Sequence, residues 1–309
     1  MRSFRFGASV WAAGSAAEWR AKAQRVEALG FDVLLTADHL TSGMFPPLTG
    51  LVAAAEATER LRVGTLVVNN DFRHPVVLAR EAAAVDLLTD GRLELGIGAG
   101  HMKHEYEQAG IAFDPPATRV ARLGEAVTIL RRLFSGEEVT FDGAYYRVNG
   151  HDLFPATVQR PLPLLVGGNG RKVLTIAAQN ASIVGFTGFS QVEGEDSVNA
   201  THFTNAGLAE QLAWVRAAAG DRFDELELSV LVQGVVITDQ RRPTAESLRT
   251  LLPSLSAEDV LTSPYSLIGT AAQIADQLRQ RRDELGVSYI TVFEKDLDAF
   301  AAVIELLRD

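Results

Sequence analysis

Four times within about 90 residues the chain alternates a short, uninterrupted apolar run with a stretch of helical periodicity. The runs are Phe4 to Val10, Val33-Leu34-Leu35, Leu61 to Val68, and Arg92 to Leu95, which closes on Gly96-Ile97-Gly98-Ala99-Gly100. Between them lie a capping box, Ser15-Ala16-Ala17-Glu18, that opens one helix, an alanine-rich stretch from Leu48 to Ala57, and Pro75 ahead of Val76 to Leu88. The helix Arg119 to Phe134 completes the fourth unit. Strands that are apolar throughout, rather than at alternate positions, belong in a parallel sheet covered on both faces.

The alternation resumes after an interruption. Val139 to Phe141 and Tyr145 to Val148 flank Asp142-Gly143 and read as a hairpin. Strands follow at Leu164 to Val166, Ser182 to Phe186, Leu226 to Ile237 and Val287 to Phe293. Helices are expected at Lys172 to Gln179, Leu208 to Ala219, Thr270 to Leu285 and Asp298 to Leu307. The expectation is an α/β fold, a (β/α)₈ TIM barrel, as one domain over residues 1–309 with insertions near 136–160, 187–206 and 241–264. Thr187 to Asn205, polar and without periodicity, reads as a lid over the site.

Composition narrows the chemistry. Lys and Arg number 29 against 39 Asp and Glu, a net charge of −10, which argues against non-specific nucleic-acid binding. Cysteine is absent, which removes thiol nucleophiles, disulfides, Cys-ligated zinc and iron–sulfur clusters. The first residues have no apolar signal-peptide core, and no stretch reaches the roughly 18 apolar residues of a membrane span, so a cytoplasmic protein is expected.

In a barrel of this kind, residues just past each strand gather at one mouth. That rule brings together Asp38, His39, Asn69, His101, His104 and the turn Gly167-Gly168-Asn169-Gly170. Asp38-His39 reads either as loop hydrogen-bonding residues or as a proton donor–acceptor whose carboxylate orients the imidazole. His101 and His104, at i and i+3, would bind a metal only on one helix face, and no carboxylate cluster completes a ligand set, so no metal is assigned. The Gly167–Gly170 turn reads as an anion cradle at a helix N-terminus or as a plain strand–helix turn. Alternating glycines at 96, 98 and 100 fit either a tight turn or close approach of the backbone to a flat group.

Taken as a set, Thr36-Ala37-Asp38-His39, Leu61 to Thr65, Asn69-Asn70-Asp71-Phe72-Arg73-His74-Pro75, Gly91 to Gly100 and Leu165-Val166-Gly167-Gly168 resemble the bacterial luciferase-like monooxygenase superfamily. The Asn69–Pro75 segment and the Gly-Ala-Gly turn most resemble its actinobacterial members dependent on coenzyme F420, a 5-deazaflavin. The resemblance implies a TIM barrel, a homodimer, and an oxidoreductase that moves a hydride between F420 and a small organic substrate. It places the ring over the third strand, where Leu66-Val67-Val68-Asn69 matches a segment that often holds a non-proline cis peptide. Asp38 and His39 match the pair beside the ring, Ala99 and Gly100 lie near the tail, His101 and His104 lie close by, and Val166-Gly167-Gly168 matches the phosphate turn. Related deazaflavin enzymes that oxidise sugar phosphates carry Glu where this chain has His101 and Trp at or near Gly43, so that mechanism is not carried over. Alternatives are a monooxygenase using reduced FMN, a non-catalytic flavin-binding barrel and, more distantly, a metal-dependent hydrolase.

Overall fold

A computed structural model describes residues 2–41, 43–191 and 198–308. Eight parallel strands close into a barrel: β1 Arg5–Ser9, β2 Val33–Thr36, β3 Arg62–Thr65, β4 Leu93–Gly98, β5 Leu164–Gly167, β6 Ile183–Phe186, β7 Glu227–Leu231 and β8 Val287–Phe293. Their order around the ring is β3-β2-β1-β8-β7-β6-β5-β4, closed by the pairing of β3 with β4. Each strand is almost wholly buried because both of its faces are occupied. Val33, Leu35, Leu165, Ile183 and Tyr289 fill the inside, while a larger core lies between the strands and the outer helices.

Helix boundaries follow local chemistry. Ser15 caps Ala16–Ala28 by accepting from Glu18 N–H, and Pro75 opens Pro75–Leu88 at a position where no N–H is needed. Thr270 and Gln273 form a reciprocal capping box ahead of Ala271–Leu285. No helix among the described residues is long and apolar enough to cross a membrane.

The third strand is not continuous from Leu61 to Val68. It stops at Thr65, passes through a cis Leu66–Val67 peptide, and resumes as Val68–Asn69 beside Ile97 and Gly98 of β4. Nor is Leu226 to Ile237 one strand. It leaves the barrel after Leu231, and Gly234–Ile237 pairs in parallel with Ser266–Gly269 outside the barrel. The residues between those paired strands include helices Arg241–Leu248 and Ala257–Thr262, the third of the expected insertions. The hairpin Val139–Asp142 with Arg147–His151 forms as expected. In the proposed lid, Ser190–Gln191 pairs antiparallel with Val198–Asn199, and 192–197 lie outside the described residues.

Candidate active site at the barrel mouth

A cavity of about 1020 Å³ opens at the C-terminal ends of the barrel strands, at the upper end of the range for small-molecule sites. Asp38, His39, Leu66, Val67, Asn69, Ala99, Gly100, His101, His104, Gly167 and Gly168 all line it. Val166 does not. It alternates with Leu165 on β5, so when Leu165 points into the barrel Val166 points outward into the helix-packed core, where it is fully buried.

The two residues after β2 have separate partners. Asp38 is engaged by Arg73, with Nη1 at 2.5 Å, and accepts from the Asn69 N–H at 3.1 Å. The expectation that Asp38 orients His39 is therefore corrected. His39 Nδ1 lies 2.9 Å from Oε1 and 3.2 Å from Oε2 of Glu105, the latter with hydrogen-bonding geometry. Glu105 is 1% exposed, so this carboxylate has little water to compete with the imidazole. The His101 ring stands edge-on to His39 with centroids 5.6 Å apart. The protein around the His101 ring, reinforced by the neighbouring His39, pushes its pKa below the ordinary value, although part of the ring stays open to the cavity mouth.

Glu105 sits on a short helix, Lys103–Ala109, that ends at Gly110 in the left-handed conformation. Glu105 and Tyr106 are its two buried residues. Tyr106 Oη contacts Asn69 Oδ1 at 2.9 Å and Asp71 Oδ2 at 3.1 Å, and Asp71 in turn accepts from Arg122 at 2.8 Å. Burial raises the Tyr106 pKa and keeps its hydroxyl a donor. These contacts lock the end of the third strand to the helices that follow β4. His101 precedes the short helix and His104 lies within it, so the pair does not share a helix face. Among the described residues, no three His, Asp or Glu side chains gather as a metal site.

The alternating glycines are used by the protein itself. A Cβ on Gly96 would lie 2.0 Å from Thr65 O, and one on Gly98 would lie 2.7 Å from Val67 Cγ2. Gly100, at φ +75°, would bring a Cβ within 2.0 Å of Tyr106 Oη. So β4 is bare because the irregular third strand and Tyr106 press against it, and what remains facing the cavity is backbone. The Gly167–Gly170 turn is likewise partly occupied. Gly168 N–H donates to Gly185 O at 3.1 Å, and Asn169 clasps Thr187 Oγ1 at 2.7 Å and the Phe189 carbonyl. Gly170 caps the helix Arg171–Asn180, whose first N–H groups have no intrahelical acceptor. One buried polar atom of the lining residues, Arg119 Nε, has no protein hydrogen-bond partner, while Glu105 Oε1 faces His39 Nδ1.

The luciferase-like monooxygenase family profile matches residues 2–252. The chain belongs to the luciferase-like monooxygenase family. An F420-dependent glucose-6-phosphate dehydrogenase from Intrasporangium calvum is 37% identical over 165 residues, 50% of this chain and 49% of that protein. Thus the chain spans about half the length of the curated relatives it matches. The structure of an F420-dependent secondary alcohol dehydrogenase in complex with an F420-acetone adduct superposes with a TM-score of 0.75 at 20% identity, covering 100% of both chains. A coenzyme F420-dependent tetrahydromethanopterin reductase from Methanopyrus kandleri gives 0.76 at 16% identity over 98% of each chain. At such identities these two share the fold.

Glu105 and Arg73 are the site residues that sequence reading left without a role. Glu105 is four residues past Gly100's neighbour His101 and carries no periodic signal. Arg73 lies within the quoted Asn69–Pro75 segment, but only the folded chain brings it to Asp38.

Proposed function

We propose that this luciferase-like protein is an F420-dependent oxidoreductase that transfers a hydride between the deazaflavin and a small organic substrate. One observation carries the reading. The segments that resemble the family, after β2, β3, β4 and β5, line one continuous cavity, and those after β3 and β4 are the ones that resemble its F420-dependent members. The F420-dependent names of the relatives support it further.

The residues present fit such a group. Backbone at Gly98–Gly100 and Gly167–Gly168 leaves two walls without bulky side chains, Leu66 and Val67 offer an apolar platform, and the unpartnered Arg119 Nε supplies a polar contact. When bound, F420 supplies the centre that gives or takes a hydride. The chain's own part is binding, orientation and proton transfer. Glu105 holds the proton on His39 Nδ1, which leaves Nε2 as the atom that exchanges a proton with substrate. Arg73 and Asn69 N–H hold Asp38 at the exit of the third strand, beneath the same wall. Family likeness supports a homodimer and a single domain over the whole chain.

The test is a paired titration of the protein with F420 and with FMN. Saturable micromolar or tighter F420 binding, with FMN much weaker, is the expected outcome. A preference for FMN moves the protein to the oxygen-using members, and binding of neither ends the reading. His39→Ala is expected to keep F420 binding and to lose turnover about 100-fold or more, the usual worth of a positioned acid–base group.

A further inference from the structure

The cavity is chemically divided. Every charged or titratable side chain on its described lining comes from Asp38-His39 or from residues 101–119. The contiguous arc formed by β6, β7, β8 and β1 contributes none. That arc presents Phe189, Leu231, Phe293 and Trp11 instead. Residues 192–197, outside the described set, read Val-Glu-Gly-Glu-Asp-Ser and hold no cation either.

The few polar side chains on this arc are mostly engaged. Trp11 Nε1 donates to Ser9 Oγ at 3.0 Å, and Thr187 Oγ1 accepts from Asn169 at 2.7 Å while donating to Phe189 O at 3.0 Å. Ser229 is the third hydroxyl of the arc. The aromatic surface is braced from behind. Trp11 meets Phe293 edge-on at 5.6 Å, and Phe189 stacks on Phe203 at 4.5 Å. Trp11 is nevertheless 39% exposed, a large apolar face left to solvent at the mouth. An anion placed here would lose water without gaining a counter-charge, whereas an apolar body would gain from leaving water.

We infer that this aromatic arc is the substrate compartment and that it takes an uncharged molecule with an apolar body, excluding sugar phosphates and other anions. The word substrate rests on the oxidoreductase reading above; the binding preference does not. His39 follows β2 and stands across the cavity from the arc's far strands β6 and β7, so the polar end of such a molecule would face the imidazole while its apolar end meets Phe189 and Leu231.

Trp11 also reports the event. Of the 3 tryptophans, Trp19 is buried and donates to Gly50 O, and Trp214 lies off the cavity lining. The experiment follows tryptophan emission of the whole chain titrated with nonan-2-one, with 8-oxononanoate and with glucose 6-phosphate. The ketone is expected to change the emission saturably and Trp11→Phe to abolish that change. The carboxylate should bind at least tenfold more weakly, about 1.4 kcal/mol, and the sugar phosphate should give no change. Absence of saturable ketone binding, equal or tighter binding of the carboxylate, or displacement of the ketone by glucose 6-phosphate overturns the inference. The F420 titration, read on the coenzyme's own absorbance, fails or succeeds independently. Loss of F420 binding with the ketone preference intact removes the oxidoreductase reading and leaves the compartment's chemistry standing.

Discussion

Glu105 is a carboxylate with almost no access to water, and its hydrogen-bond partner is the His39 imidazole. A carboxylate at hydrogen-bonding distance accepts from Nδ1 and so fixes which ring nitrogen carries the proton. Glu105→Gln keeps the shape and removes the charge. It should lower kcat about 100-fold, with F420 affinity within about threefold of the parent. An unchanged kcat would show that Glu105 acts only in packing. His101 makes a separate prediction. Surrounding protein and His39 hold its folded-state pKa below the unfolded value of 6.5, so below that value the unfolded chain binds more protons. The stability linked to it is complete above about pH 6.5 and is lost as pH falls through the window beneath. His101→Asn should make the fall in Tm between about pH 7 and 5 shallower. The ring's partial exposure keeps the effect small, and an identical slope in the variant would exclude it.

At the scale of elements, the short helix Lys103–Ala109 decides the site, because it delivers Glu105 to His39 and Tyr106 to the third strand. Two glycines bracket it. Gly110 has φ +69° and open space around a Cβ, so Gly110→Ala should cost about 1 kcal/mol from backbone conformation alone. Gly100 has φ +75° and Tyr106 Oη 2.0 Å from a Cβ, so Gly100→Ala should cost about 3 kcal/mol or more. Chemical denaturation of both variants measures the difference, and equal losses would mean that Tyr106 yields without consequence. This helix was not legible in the sequence. Seven residues with Glu105 and Tyr106 as the only buried ones give no periodicity to read, and no side chain caps its start. The break at Leu231 was hidden for the opposite reason. Val235 and Val236 are as strand-like as Val230, and only the competing strand Ser266–Gly269 draws them out of the barrel.

For the molecule as a whole, the two ends of the barrel have different duties. Far from the mouth, Glu94 at 3% exposure accepts from Arg62 Nε at 2.6 Å and from Arg5, while Arg5 also pairs with Glu227. The Arg5 guanidinium lies 4.5 Å over the Tyr289 ring. None of these residues lines the large cavity. Glu94→Gln should lower stability by about 2 kcal/mol by leaving two half-buried guanidinium groups underpaired, with F420 affinity unchanged. A parallel loss of affinity would mean that the foot of the barrel controls its mouth.

Uninterrupted apolar strands alternating with capped helices were enough, by sequence alone, to require a parallel sheet covered on both faces, and the rule that strand ends share one mouth located Asp38, His39, His101 and the Gly167–Gly170 turn. These are local signals, written in periodicity and in residues a few positions apart. The partnerships were decided by tertiary structure. Glu105 reaches His39 from 66 positions away, Arg73 reaches Asp38 from 35, and Thr65 and Val67 press on the glycines of β4. Such contacts depend on strand register and on where each loop lands, and neither is encoded in the spacing of residues along a single element.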